Sequence, residues 1–285
     1  MPRPCIKMNY RRWGAKMRRK YREIFLCGVI AIIVITSLTE TIWAGEANEK
    51  NKWEFTLSPY LWIAVFSGDV GLKGMNLGVN LSFIELLDNI RYFGFTELEA
   101  RKGPWGLHFN GIYADVEGEI PISGLPIDVD LGWIYNLELW GYKRLSLWSF
   151  GSMPNQKSPS ITLDPYVGGR YTDLKVDAGI QGGPNFSEHK DWIDPIIGIR
   201  TNFDLSERWH LTLSGDIGGF GVGSDLTWSA LGLIRYRFMK WNWGEAEILG
   251  GYKALYQKFS DGHGANQFDW DTTLYGPLLG LKIRF

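Results

Sequence analysis

Cysteine is almost missing. Only Cys5 and Cys27 carry a thiol, and both fall within residues 1–44 of a 285-residue chain. The remainder therefore holds no disulfide framework, no thiol nucleophile and no cysteine metal site. Leu26 before Cys27 is too bulky for a lipoprotein acylation site, so Cys27 reads as an apolar leader residue. Long hydrophobic runs are also missing: after residue 40 no stretch approaches the roughly 20 apolar residues that a membrane helix needs. A strong charge of either sign is absent too, with a formal net of −1. That balance is a composite, because residues 1–44 hold nine Lys and Arg against Glu23 and Glu40 and leave 21 basic and 29 acidic residues beyond them. An acidic remainder excludes nucleic acid as a natural partner. Metal-ligand clusters, a serine nucleophile motif and a cofactor signature are likewise not found. Gly219-x-Gly221-x-Gly223 lies between two strands, so no helix N-terminus follows to hold a phosphate, and it reads as a flexible extracellular hairpin.

The basic segment Met17–Arg22, the apolar segment Ile24–Leu38 and Ile42-Trp43-Ala44 follow the three-part plan of a secretory signal peptide. We expect residues 1–44 to be removed, with translation starting at Met1, Met8 or Met17. About 15 apolar residues are too few for an uncleaved anchor.

What the chain does have is alternation. Leu279, Leu281, Ile283 and Phe285 alternate with Gly280, Lys282 and Arg284, a period of two with one greasy face and one cationic face. The pattern recurs over 53–66, 91–102, 107–113, 128–139, 161–176, 192–203, 209–217, 226–238 and 246–256. If apolar residues face lipid and polar ones a lumen, hydropathy averages to the observed −0.13 although the protein crosses a membrane. The fold class expected is all-β, a transmembrane antiparallel barrel over residues 45–285. It has ten strands if 67–90 is one large loop, or twelve if 67–81 adds a hairpin to the ring. Short turns at 102–105, 204–208 and 239–243 then alternate with longer outer loops, 177–190 and 258–269 among them, and 144–160 is a long periplasmic connection. Trp53, Trp105, Phe203, Trp209, Phe238, Trp241, Trp243 and Phe285 gather at the periplasmic end as an aromatic girdle. Pro59 calls for a bulge or a rim position in the first strand, and Ser82–Asn89 has the spacing of a short helix.

The ending, with Gly280, Leu281, Ile283 and Phe285, resembles the C-terminal signal strand of bacterial outer-membrane proteins. Ser58-Pro-Tyr-Leu-Trp62, Trp192-Ile-Asp-Pro195, the run Gly215–Asp225 and Gly276-Pro-Leu-Leu-Gly280 are together similar to a group of uncharacterised bacterial outer-membrane barrel proteins. The resemblance covers essentially all of 52–285. It implies the fold, an outer-membrane location, and outer-membrane lipid and the barrel-insertion machinery as partners. It brings no substrate, cofactor or catalytic residue.

The inward faces carry the candidate site. Asp128, Asp130, Glu138, Asp164, Asp194, Asp216, Glu245 and Glu247 face Arg170, Arg200, Arg235, Arg237, Lys253, Lys282 and Arg284. Arg235 and Arg237 sit one short turn from Glu245 and Glu247, so cross-strand ion pairs are expected there. Such a set is either a selectivity ladder along a pore or an electrostatic plug, and inward Tyr60, Trp62, Trp140 and Tyr166 favour the plug. The expectation is a non-enzymatic barrel, structural or a narrow channel for small solutes. The rival is a surface hydrolase using His189 or His263 with Glu188, Asp191, Asp261 or Asp269 at the barrel mouth.

Overall fold

The structure is a computed structural model that describes residues 52–72, 75–83, 90–116, 120–121, 127–130, 132–149, 158–180 and 185–285. The expected signal peptide, both cysteines and most of the helix read at 82–89 lie outside the described residues.

The strands are β1 (Trp53–Trp62), β2 (Val65–Leu72), β3 (Met75–Leu81), β4 (Ile90–Lys102), β5 (Trp105–Val116), β6 (Ile120–Pro121), β7 (Ile127–Asp130), β8 (Trp133–Lys143), β9 (Leu145–Ser149), β10 (Ser160–Ile180), β11 (Asn185–Asp204), β12 (Trp209–Gly219), β13 (Leu226–Trp241), β14 (Gly244–Asp261) and β15 (Phe268–Arg284). Ten of them pair antiparallel in the order β1-β4-β5-β8-β10-β11-β12-β13-β14-β15, and β15 pairs back onto β1. The result is a closed ten-stranded barrel.

The other strands do not widen the ring. β2 continues the line of β1 along the same neighbour: Trp62 opposes Leu278 and Val65 opposes Tyr275, both on β15. β3 folds back on β2. The hairpin of the twelve-strand alternative therefore exists, but it prolongs the wall. In the same way β7, β8 and β9 form one interrupted line along β10. The continuous strand expected over 128–139 is thus broken between Asp130 and Trp133. Asp128 and Asp130 pair with the far end of β10, and their side chains lie outside the described residues. The expected connection at 144–160 is partly strand as well, since β9 occupies Leu145–Ser149 near its start.

Pro59 makes no bulge and no rim. Its register with β4 is continuous, with Pro59 opposite Thr96. On the β15 side the partners pass from Leu57↔Ile283 to Tyr60↔Gly280 in unchanged register. Proline has no N–H to donate, so it leaves a gap in the closing seam and nothing more. Gly280 lies beside that gap, where a Cβ would come within 2.7 Å of the Pro59 carbonyl and of the Tyr60 side chain. The seam closes there because position 280 is bare.

The apolar set changes face at one level of the barrel. On β10, Leu163, Val167 and Tyr171 lie on the outward face, but further along Leu174 and Val176 are fully buried inside. On β14, Ile248 and Tyr252 are exposed outside while Phe259 is buried within. On β15, Leu279 and Leu281 are exposed whereas Phe268 and Trp270 are buried. The stack of Trp192 from β11 on Phe259 from β14, at 4.3 Å, puts the inverted segments at one level. Where the outside is lipid, apolar residues face out. Where it is water, the same alternation must bury them. The segment of β10 from Ile161 to Tyr171 matches the roughly 9–11 residues of a tilted spanning strand. Beyond that level β10 and β11 run on as a water-exposed hairpin, so the loop expected at 177–190 is mostly strand. β14 and β15 likewise shorten the loop expected at 258–269.

At the opposite end, exposed Trp53, Trp105, Trp209, Phe238, Trp243 and Phe285 form the girdle. Lys102 and Lys143 lie over the Trp53 and Trp105 rings, at 5.7 and 5.4 Å. Amphipathic rings with cations beside them suit the headgroup layer.

Candidate functional site in the lumen

The lumen is filled in layers. Uppermost is an apolar cap that the charge pattern did not reveal: Phe66, Val70, Val79 and Leu81 from the β2–β3 hairpin pack with Leu174, Val176, Trp192, Phe259, Phe268 and Trp270. Trp192 and Phe259 stack at 4.3 Å, joining strands that are not neighbours in the ring. The buried apolar face of the hairpin joins the cluster that Leu174 and Val176 of β10 also enter, and this burial holds the hairpin over the barrel mouth.

Beneath the cap lies Arg170, fully buried on β10. It donates through Nε to Glu138 on β8 at 2.9 Å, through Nη2 to Asp216 on β12 at 2.9 Å and through Nη1 to Thr227 on β13 at 2.8 Å. Tyr166 and Ser229 donate to the other Asp216 oxygen. Gln257 on β14 and Asn136 on β8 both donate to the Thr172 hydroxyl. A guanidinium spreads five N–H donors in a rigid plane, so one side chain ties three strands of the wall. Asp194 stands apart from this network. It accepts from the Ser224 amide at 2.6 Å and from the Trp192 indole at 3.1 Å. Its role is to pin the glycine-rich turn, where Gly219, Phe220 and Gly221 all take positive φ. The turn expected to be flexible is anchored.

Two voids follow. The first leaves about 60 Å³ to the centres of water-sized molecules and the second, toward the girdle, about 110 Å³. Between them Arg200 on β11 reaches across to Glu99 on β4 at 2.7 Å and holds Asp164 through Nε at 3.0 Å. Asp164 also receives a bidentate pair from Arg144, at 2.8 Å for each nitrogen. The Arg200 guanidinium lies 4.6 Å from the Tyr142 ring and 5.0 Å from Trp140. Around the second void Arg235 pairs with Glu247 at 3.0 Å and Arg237 with Glu245 at 2.7 Å. Arg284 also contacts Glu245, and Arg101 contacts Glu54.

Two expected members take no such partner. Lys253 lies 5.4 Å above the Trp62 ring. Lys282 lines both voids, and among the described residues no carboxylate stands within 4.0 Å of its ammonium. Reading by alternation missed Arg144, which sits at the break between β8 and β9 where a face cannot be read. It also missed Thr172, Thr227 and Gln257, whose neutral side chains carry no charge signal.

The mouth residues do not assemble as expected. His189 meets Asp173, at 3.2 Å from both oxygens, and not its sequence neighbours. Asp173 also accepts from Trp133 and Tyr171. Glu188 and Asp261 contact Lys190, and Asp269 accepts from Gln267. His263 precedes a 3₁₀ turn at Gly264–Asn266. Among the described residues no group of three or more His, Cys, Asp or Glu is placed to hold a metal.

No family model matches the chain, and no curated protein matches it. Solved structures do. The attachment invasion locus protein Ail of Yersinia pestis is 12% identical, with a TM-score of 0.34 over 82% of this chain and 99% of its own. The outer membrane protease OmpT of Escherichia coli is 8% identical, with a TM-score of 0.39 over 85% and 99%. Neisserial surface protein A is 9% identical, with a TM-score of 0.28 over 81% and 95%.

Proposed function

We propose that the chain is a bacterial outer-membrane barrel with no catalytic role and a lumen closed at rest, passing nothing larger than water-sized solutes. The outward apolar band and the aromatic girdle support the membrane setting. The observation that carries the closed lumen is Arg170, which has no exposed surface and bridges Glu138, Asp216 and Thr227 across the interior. An open selectivity ladder needs its charges turned toward moving ions. Here they are turned toward each other. We place a surface hydrolase second, because the His189 partner Asp173 already serves Trp133 and Tyr171.

Planar-bilayer recording tests the reading. The purified barrel should add no steady conductance to the bare membrane, and proteoliposomes should not swell in isotonic monosaccharide. A stable open state in the unaltered protein would overturn it.

A further inference from the structure

The void nearer the girdle is lined by seven cationic and five carboxylate side chains. The carboxylates are engaged: Glu54 by Arg101, Glu99 by Arg200, Glu245 by Arg237 and Arg284, Glu247 by Arg235, and Asp204 by His210 at 2.8 Å. Lys282 is the cation left over. It stands at the junction of the two voids, with Arg200, Arg235, Glu99 and Glu247 as its charged neighbours. One further donor at this void has no hydrogen-bond partner among the described residues. It is Nε of Arg235, whose residue is 8% exposed. His210 gives its Nδ1 proton to Asp204, and its Nε2 stands 3.6 Å from Glu247. A buried donor without an acceptor costs free energy that a ligand oxygen removes.

We propose that this void is a binding site for a small oxyanion of the phosphate, sulfate or carboxylate class, entering from the girdle end. The Lys282 ammonium supplies the uncompensated charge. Arg235 Nε supplies a directed donor on β13, facing Lys282 on β15. A free volume of about 110 Å³ suits a tetrahedral oxyanion, since one water takes on the order of 10–15 Å³ by the same measure. It excludes a nucleotide. The site does not depend on the lumen being closed to solutes, so it stands or falls apart from the conductance result.

Inorganic phosphate is the probe. The refolded full chain in lipid vesicles is titrated calorimetrically with sodium phosphate at constant ionic strength set by sodium chloride. Saturable binding is expected, weakened about tenfold or more in Lys282→Met, as loss of a charged hydrogen-bond donor implies. Lys253→Met, which alters only the other void, should bind as the unaltered protein does. Phosphate should also slow amine acylation of Lys282, read by mass spectrometry, while leaving the girdle residue Lys102 unaffected. The acylation measurement uses the unaltered chain and decides the matter even if Lys282→Met fails to assemble. Absence of saturation, equal affinity in Lys282→Met, or acylation of Lys282 indifferent to phosphate would each overturn the site.

Discussion

Arg170 shows how much one side chain can decide in this interior. Its guanidinium separates Glu138 from Asp216, and all three groups are buried. Replacing it with methionine leaves two buried carboxylates without the cation they share. Removing one partner of a buried ionic group typically costs about 3–5 kcal/mol. We expect Arg170→Met to lose about that much in reversible urea unfolding from lipid vesicles. Neutralising both carboxylates in the same chain, as Glu138→Gln with Asp216→Asn, should recover part of the loss. An Arg170→Met protein as stable as the parent would show that the layer does not hold the wall together. At this scale the sequence is half legible. Alternation places Arg170, Arg200, Arg235 and Glu247 on the inner face, but it carries no information about which inner residues meet across the lumen. Arg170 finds Asp216 two strands away, a choice fixed by barrel curvature and the reach of a side chain.

At the scale of the element, period two makes the faces of β10 to β15 readable from the sequence alone. It cannot tell a new ring strand from the prolongation of an old one. β2 repeats the alternation of a barrel strand, yet its partner is the upper part of β15, whose lower part already pairs with β1. The inversion on β10, where Tyr171 faces out and Leu174 faces in, is present in the sequence but acquires meaning only once the membrane level is fixed. The closing strand carries its own prediction. Phe285 exchanges both backbone hydrogen bonds with Phe55, at 2.8 and 2.9 Å, and the two rings stack at 6.3 Å. Arg284 faces inward and shares Glu245 with Arg237. We therefore expect Phe285→Asp to cut the yield of folded barrel in the membrane several-fold, whereas Arg284→Ala leaves it near the parental level. Charge at 285 meets the lipid interface, while loss of Arg284 leaves Glu245 still paired. Equal yields from the two variants would remove the last strand from its place in closure.

The whole molecule combines two solutions to one problem, the burial of backbone polar groups. In the ring every barrel strand has a neighbour on each side, because β15 closes onto β1 and leaves no edge. Above the membrane level the hairpins extend the same ladders and bury an apolar cap as a water-soluble barrel does. A detergent can replace lipid around the outer band, but it reaches neither the closed ladder nor the packed interior. Opening such a barrel requires breaking many rungs together, which makes the barrier high and steep in temperature. The folded protein should accordingly survive dodecyl sulfate at room temperature and migrate as a compact species. Boiling should convert it to a slower band of full apparent mass. Cell fractionation should recover it with outer membranes, and washing with high salt or carbonate should not release it. The prolonged upper wall makes a finer point. A protease added from outside should cut first at the hairpin tips beyond the inversion level, leaving the ring still heat-modifiable. If the protein is instead found soluble in the periplasm, or runs as one band regardless of heating, then the outward apolar band faces something other than lipid. The ring would then have to be read as an ordinary soluble barrel.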